Sequence, residues 1–247
     1  MIIDAYTFCW NEEIRLKYFL RQWAPICRRI RIYDNGSDDN SMNIAKQYDN
    51  VIWDTTTYGQ GNIDDTILLH TKNNGWKNSI DADLVFMGDV DEFVYHPDGL
   101  LTFFENKLSE GYTVMQPYGY DMISKEPPIH DGMIWEHEDF KYGQAHPNGR
   151  QDKCVTFSPK HIHDINFDFG AHHARPFGNV RICRDTNYKL LHYKYIGREY
   201  HAERTRLSGE RLCELNRRRG WGKHYLTPNE QVLAGFDLRL EKRKKII

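Results

Sequence analysis

The stretch that most restricts the fold is Leu84-Val85-Phe86-Met87-Gly88-Asp89-Val90-Asp91-Glu92-Phe93. Four large apolar residues in succession read as a strand buried on both faces. The run stops abruptly at acids, as happens where a parallel strand emerges at the carboxyl edge of its sheet. Residues two apart in an extended segment point the same way, so Asp89 and Asp91 present their carboxylates to a single ion or polar ligand. Hard oxygen donors of this kind suit Mg2+ or Mn2+, which bind few carboxylates and leave positions for phosphate oxygens. An isolated Asp-x-Asp also occurs in turns that merely cap and solvate a strand end, so its weight comes from what surrounds it.

The run Ile2-Ile3-Asp4-Ala5-Tyr6-Thr7-Phe8-Cys9-Trp10 is β-prone. Asn11 is expected as the N-cap of a helix whose first turn holds Glu12 and Glu13 and whose apolar residues Ile14, Tyr18, Phe19 and Trp23 recur at helical spacing. A second strand, Ile30-Arg31-Ile32-Tyr33, runs into Asp34-Asn35-Gly36-Ser37-Asp38-Asp39, a turn and cap signal ahead of a helix marked by Met42, Ala45 and Tyr48. Val51-Ile52-Trp53 is a third strand, and Tyr58-Gly59-Gln60-Gly61 leads to a longer helix over 63–79. Four strands separated by helix-sized segments argue a parallel α/β sheet with right-handed crossovers, in which ligands gather at the carboxyl edge. The loops carrying Asn11-Glu12-Glu13, Asp34 and Asp89/Asp91 then face one crevice. The β-prone run Tyr112-Thr113-Val114-Met115 is expected beside the 84–87 strand, aiming Asp121 into that crevice.

The 247 residues suit one α/β domain of the larger kind, and a net charge of -2 lacks the basic excess of a nucleic-acid binder. No apolar run approaches the roughly 20 residues that span a bilayer. Met1-Ile2-Ile3 meets Asp4 without the pattern of a secretory signal, and five scattered cysteines with no C-x-x-C pair fit reduced thiols, so a cytoplasmic protein is expected. Residues 198–219 read as a charged helix with Leu207, Leu212 and Leu215 on one side, closed by Gly220. Thr227-Pro228-Asn229-Glu230 begins another helix, and 239–245 is a basic run. The expected organisation is a domain over 1–200 with a helical extension over 201–247 packed on it. The basic run suits a solvated helix end, or peripheral contact with anionic lipid at the inner face of a membrane.

Three segments together carry a resemblance: Cys9-Trp10-Asn11-Glu12-Glu13, Tyr33-Asp34-Asn35-Gly36-Ser37-Asp38-Asp39 and Met87-Gly88-Asp89-Val90-Asp91-Glu92-Phe93. They resemble the successive motifs of family 2-like glycosyltransferases with the GT-A fold, in the bacterial branch with N-E, Y-D-N-G-S and D-V-D-E-F motifs. Gly119-Tyr120-Asp121-Met122, Lys153-Cys154-Val155, Gly170-Ala171-His172-His173 and Leu190-Leu191-His192-Tyr193-Lys194 look like later blocks of that branch, in order, so the likeness covers about residues 1–200. It implies a Rossmann-like nucleotide-diphospho-sugar transferase fold: a mixed, mainly parallel sheet flanked by helices. It also implies transfer of a sugar from a UDP- or GDP-sugar to a glycan, lipid-linked or other hydroxyl acceptor, with inversion, as in cell-surface polysaccharide biosynthesis. The cofactor it implies is Mn2+ or Mg2+.

Carried over position by position, the resemblance makes Asp91 the metal ligand of the DXD motif and Asp89 a ribose or outer-shell metal group, with His192 a third ligand. Asn11, Glu12, Asp34 and Lys153 fall on the donor nucleotide side, although Asp34 also suits an Asx turn before Asn35-Gly36 and Lys153 an ordinary strand edge. His172 and Tyr120 are expected on the acceptor or diphosphate side, and Tyr118, Tyr120, Trp135 and Tyr142 are candidates for a stacking wall. The base that takes the acceptor's proton is expected at Asp121, with Asp168 next; the Glu-Asp pair commonest in this family is absent from the region. Arg198, Arg204 and Arg206 reach the diphosphate if their helix folds back over the crevice. His161-x-His163 and His172-His173 lack the partners of a zinc site. The competing classes are a non-catalytic nucleotide- or sugar-binding module and a metal-dependent phosphotransferase or hydrolase. Glu92-Phe93 after the second acid disfavours the latter, and Gly59-Gln60-Gly61 is too short for a dinucleotide fingerprint.

Overall fold

The computed structural model describes residues 1–56 and 61–247. Tyr58, Gly59 and Gln60 of the expected loop lie outside the described residues. The chain runs β1 (Ile3–Cys9), α1 (Glu13–Trp23), β2 (Arg29–Asp34), α2 (Ser41–Ala45), β3 (Val51–Asp54), α3 (Asp65–Asn74), β4 (Leu84–Met87), β5 (Glu92–Tyr95) and α4 (Leu100–Ser109). It continues through β6 (Val114–Met115), β7 (Tyr118–Ser124), β8 (Tyr142–Ala145), β9 (Thr156–Phe157), β10 (Ile162–Asp164), β11 (Phe177–Gly178), β12 (Ile182–Cys183) and β13 (Lys189–Ile196). Helices α5 (Arg198–Glu210), α6 (Glu214–Arg219) and α7 (Asn229–Lys242) and strand β14 (Lys244–Lys245) complete it.

Two large sheets divide the molecule, with a two-stranded β10-β11 ribbon besides. The first has the order β12-β6-β9-β4-β1-β2-β3 and is parallel except for β9, which runs against both of its neighbours. The fold is thus the expected mixed α/β arrangement with a mainly parallel sheet flanked by helices. All four residues of β4 are buried, because both faces are covered. Leu84 and Phe86 enter one apolar layer with Phe19, Trp23 and Phe93, while Val85 and Met87 enter the other with Trp76 and Phe157. Phe86 lies 4.5 Å from Trp23, centroid to centroid. Burying each such side chain contributes roughly 1.5–3 kcal/mol.

The second sheet, β14-β8-β7-β13-β5, begins where the first ends its central strand. Its β5 starts at Glu92, so Gly88-Asp89-Val90-Asp91 is the link between the two sheets. Gly88 is required there. A Cβ on it would stand 2.5 Å from the Phe86 ring and 3.1 Å from a Glu92 carboxylate oxygen.

Several expectations need correction. The 112–115 run does not lie beside β4, because β9 inserts between β4 and β6. The 63–79 helix is an α-helix to Asn74 and a 3-10 turn thereafter. The 198–219 helix is broken at residues 211–213, where Leu212 bridges Ile63, and Gly220 ends α6 in the left-handed conformation (φ 68°). The C-terminal extension is not wholly helical, since β14 pairs with β8. In the basic run, Arg243 pairs with Asp139 at 2.7 Å and Lys245 with Glu138 at 2.8 Å. No helix among the described residues is long and apolar enough to cross a membrane.

Candidate active site

The carboxyl ends of β1 and β2 are tied together by side chains. Asn11 is not the helix N-cap; that position belongs to Glu12. Asn11 adopts the left-handed conformation (φ 51°), which asparagine tolerates better than most residues, and its side chain exchanges hydrogen bonds with Asp38 at 2.6 and 2.9 Å. The first amides of α1 are satisfied from the β2–α2 loop: Glu12 N donates to Ser41 Oγ (2.9 Å) and Glu13 N to an Asp39 carboxylate oxygen (3.0 Å). Asp34 accepts from the amide (3.1 Å) and hydroxyl (2.6 Å) of Ser37, three residues on, and is itself buried.

Arg15 joins this unit to the acids that follow β4. Its guanidinium forks onto both oxygens of Glu12, at 2.7 and 2.8 Å, and its Nη1 reaches Asp91 Oδ2 at 3.2 Å. From the other side, Arg204 of α5 donates to Glu12 (2.6 Å) and to the carbonyls of Trp10 and Asn11. Helix α5 does fold back over the crevice, but its arginines are occupied: Arg198 holds Asp237 and Arg206 holds Glu203 and Glu210. Because a lysine cannot reproduce the fork, Arg15→Lys is expected to lower stability by about 1–3 kcal/mol, measurable as a shifted urea midpoint.

The register of the second sheet sets the rest. Glu92 on β5 stands opposite His192 on β13, and His192 opposite Asp121 on β7. His192 Nε2 lies 3.4 Å from Asp91 Oδ2, and its Nδ1 lies 3.0 Å from Asp121 Oδ1. Burial alone would lower the pKa of this imidazole, but the flanking carboxylates outweigh burial and push it up to about 9. Burial likewise opposes ionisation of Asp91, yet His192 and Arg15 hold it far below the usual carboxylate range. Asp121 was expected to face the crevice; instead it is 3 % exposed behind His192, where Gln151 Nε2 also donates to it at 3.1 Å.

Glu92 is fully buried and paired with Lys153. Burial disfavours both charges, but each partner keeps the other ionised, with Glu92 below and Lys153 above their usual ranges. Lys153 is therefore already neutralised by the chain. The second Glu92 oxygen accepts from the Asp89 amide at 3.1 Å and so fixes the inter-sheet link. Asp89 pairs with Lys72 of α3 at 2.8 Å, and Lys72 lies 5.5 Å from the Phe8 ring.

The remaining candidates sit at the rim. His172 Nδ1 lies 2.9 Å from the Arg150 carbonyl oxygen; partial burial and the charge of Lys153 push the pKa of the ring down to about 4. Asp168 is exposed, with one oxygen accepting from the His173 amide at 3.0 Å. Tyr120 is half-buried on β7, opposite Leu191 and Ala145. Trp135 belongs to the core instead of a stacking wall, packed edge-on against Phe93 and Tyr95. Phe169, 43 % exposed, packs on Trp221 at 4.2 Å, so the loop after β10 meets the segment after α6 across the opening. Tyr225 in that segment feels Asp91, Asp89 and Asp65; burial first, then these acids, push its pKa up to about 12.

Sequence reasoning missed Arg15, Lys72, Gln151 and Tyr225. Arg15 and Lys72 read as ordinary solvated helix charges. Their burial was the missing signal, and burial of a charge implies an opposite charge nearby.

Among the described residues, no three His, Cys, Asp or Glu side chains form a ready cation cage. The pair Asp91 and His192, with Asp89 alongside, nevertheless fits a hard divalent ion that takes the rest of its ligands from phosphate and water. No hydrogen bond from a described residue reaches Asp91 Oδ1 or Asp89 Oδ2.

No protein-family model matches the chain, and no curated protein matches it significantly. Solved structures give slight likenesses. Glucosyl-3-phosphoglycerate synthase from Mycobacterium tuberculosis, in complex with Mn2+, uridine diphosphate and glucosyl-3-phosphoglycerate, aligns at 15 % identity with a TM-score of 0.33, over 48 % of this chain and 44 % of that one. The same enzyme with Mn2+, uridine-diphosphate-glucose and glycerol 3-phosphate aligns at 16 % and 0.32 over 48 % and 44 %, and a mycobacterial protein at 14 % and 0.34 over 49 % and 41 %. The matched part is less than half the length of each of these chains. Overlaps of this extent carry no function across, which leaves the chain's own residues to argue it.

Proposed function

We propose that this protein is a metal-dependent glycosyltransferase of the family 2-like, GT-A kind, moving a sugar from a nucleotide diphosphate sugar to a hydroxyl acceptor with inversion. The observation that carries the reading is Asp91: a carboxylate on the link between two sheets, held ionised, 3.4 Å from His192 and beside Asp89 at the carboxyl edge of a parallel strand. Asp91 and His192 would hold Mn2+ or Mg2+, His192 exchanging its Nε2 proton for the ion. Such an ion acts as a Lewis acid and template for a departing diphosphate.

The chain's own residues divide the other tasks. His192 and Arg15 keep Asp91 ionised, and Lys72 holds Asp89 in place. Asp121 orients the His192 ring through Nδ1, as partners behind a metal-binding histidine do. The zipped β1 and β2 loops, with Asn11, Glu12 and Asp34, offer the nucleotide a rigid edge. In the transfer, the acceptor oxygen bonds to the anomeric carbon, the carbon–diphosphate bond breaks with its electron pair leaving on the diphosphate, and the acceptor proton passes to a carboxylate. Asp168 takes that role, because it is exposed whereas Asp121 is enclosed. His172 and Tyr120 border the acceptor side.

A thermal-shift screen of UDP- and GDP-sugars, each with and without Mn2+, tests the reading. A nucleotide sugar is expected to raise Tm by several degrees only when Mn2+ is present, as binding at about 100 times Kd stabilises by roughly 2.7 kcal/mol. A flat screen with both nucleotides sinks it.

A further inference from the structure

Most cations around the crevice are matched by acids of the chain: Arg15 by Glu12 and Asp91, Lys72 by Asp89, Lys153 by Glu92, Arg204 by Glu12. Two are not. Among the described residues, no acid or hydrogen-bond acceptor engages the Lys194 ammonium or the Arg150 guanidinium. Lys194 follows His192 by two positions on β13, and its Nζ lies 5.6 Å from the ring centre of Tyr225 and 5.9 Å from that of Tyr195. Its nearest acids, Asp91 and Asp121, are claimed by Arg15 and His192. Arg150 is exposed next to Gln151, which hydrogen-bonds Asp121, and its carbonyl oxygen holds His172. His224, beside Tyr225, feels both charges. An ammonium drawn partly out of water without a counter-ion is unfavourable unless a ligand supplies one.

We infer that Lys194 and Arg150 form an anion-binding face opposite the acids, taking phosphoryl oxygens, with His172 and His224 at its margins. This rests on the transferase reading only for the source of the phosphoryl group, which is either the donor's diphosphate or a phosphate carried by the acceptor. Lys194 lies on the strand that carries His192, whereas Arg150 approaches from the loop side with His172.

The test is calorimetric titration of inorganic pyrophosphate and inorganic phosphate, with Mn2+ and with EDTA, into the full chain and into Lys194→Gln, Arg150→Gln and the double variant. Neither substitution breaks an ion pair, and Lys194→Gln loses only its cation–π contacts with Tyr225 and Tyr195, so each variant should melt within a few degrees of wild type. Lys46→Gln, an exposed lysine after α2, is the control. Each substitution at the face is expected to weaken anion binding about tenfold or more, as loss of a charge-assisted hydrogen bond does, and the control not at all. Weakening confined to pyrophosphate with Mn2+ identifies the donor's diphosphate. Weakening for inorganic phosphate with or without Mn2+, and also in Asp91→Asn, identifies an acceptor phosphate. The inference is overturned if wild type binds neither anion under either condition, or if the double variant binds as wild type does. Neither outcome depends on a nucleotide sugar being a ligand, so failure here and failure of the transferase reading are separately visible.

Discussion

Asp91→Asn is expected to abolish the joint stabilisation by Mn2+ and nucleotide sugar and to cut donor turnover by about 10³-fold, the scale of losing one dedicated group at a developing charge. The substitution is close to isosteric and should leave the fold standing, because Arg15 keeps both bonds to Glu12 and His192 keeps Asp121. What it removes is the negative charge that makes the site a cation site. Titrating Mn2+ in the presence of nucleotide sugar, with heat of binding and sugar release as readouts, separates the possibilities. If the variant retains metal-dependent turnover within tenfold of wild type, Asp91 is not the ligand.

Lys153→Ala should be the most damaging single change to stability near the crevice. Glu92 is fully buried, and removing its partner leaves a carboxylate with no counter-ion in a site closed to water. Breaking a buried pair in this way costs about 3–5 kcal/mol, which for a chain of this size lowers Tm by roughly 6–20 °C. The double variant Lys153→Met, Glu92→Leu discriminates between a stabilising and a positioning role. Apolar replacement of both partners is often neutral or better for stability, so much of the lost Tm should return. Turnover should not return, because the Asp89 amide has lost the Glu92 oxygen that fixes it. Recovery of both would make the pair a purely structural feature.

The architecture was legible where the sequence has period and punctuation. Strands β1, β2, β3 and β4 announce themselves as apolar runs ending in polar turns, and their order places Asn11, Asp34, Asp89 and Asp91 at one edge. Strand β9 was not legible: two residues have no periodicity, and nothing in Thr156-Phe157 tells that it will part β4 from β6. The pairing of Glu92, His192 and Asp121 was hidden for a different reason. It follows from a register between strands far apart in sequence, and register is decided by packing across the sheet. The same gap explains Asp121, whose residue type suits a base but whose neighbours enclose it. Arg15 shows the converse. Its helical position was evident, and only the sheet link arriving beside it turns a surface charge into the connection between Glu12 and Asp91.

The bond between Arg204 and Glu12 spans 192 positions. On a ribosome adding roughly 5–20 residues per second, the arginine emerges about 10–40 s after its partner. For that interval the first strand and helix are made, but their acids face an opening with neither His192 nor α5 across it. The parallel sheet can form early; the crevice matures only when late-made residues return to the first turn of α1. Nascent-chain quality control would therefore meet a chain whose functional edge is not yet made.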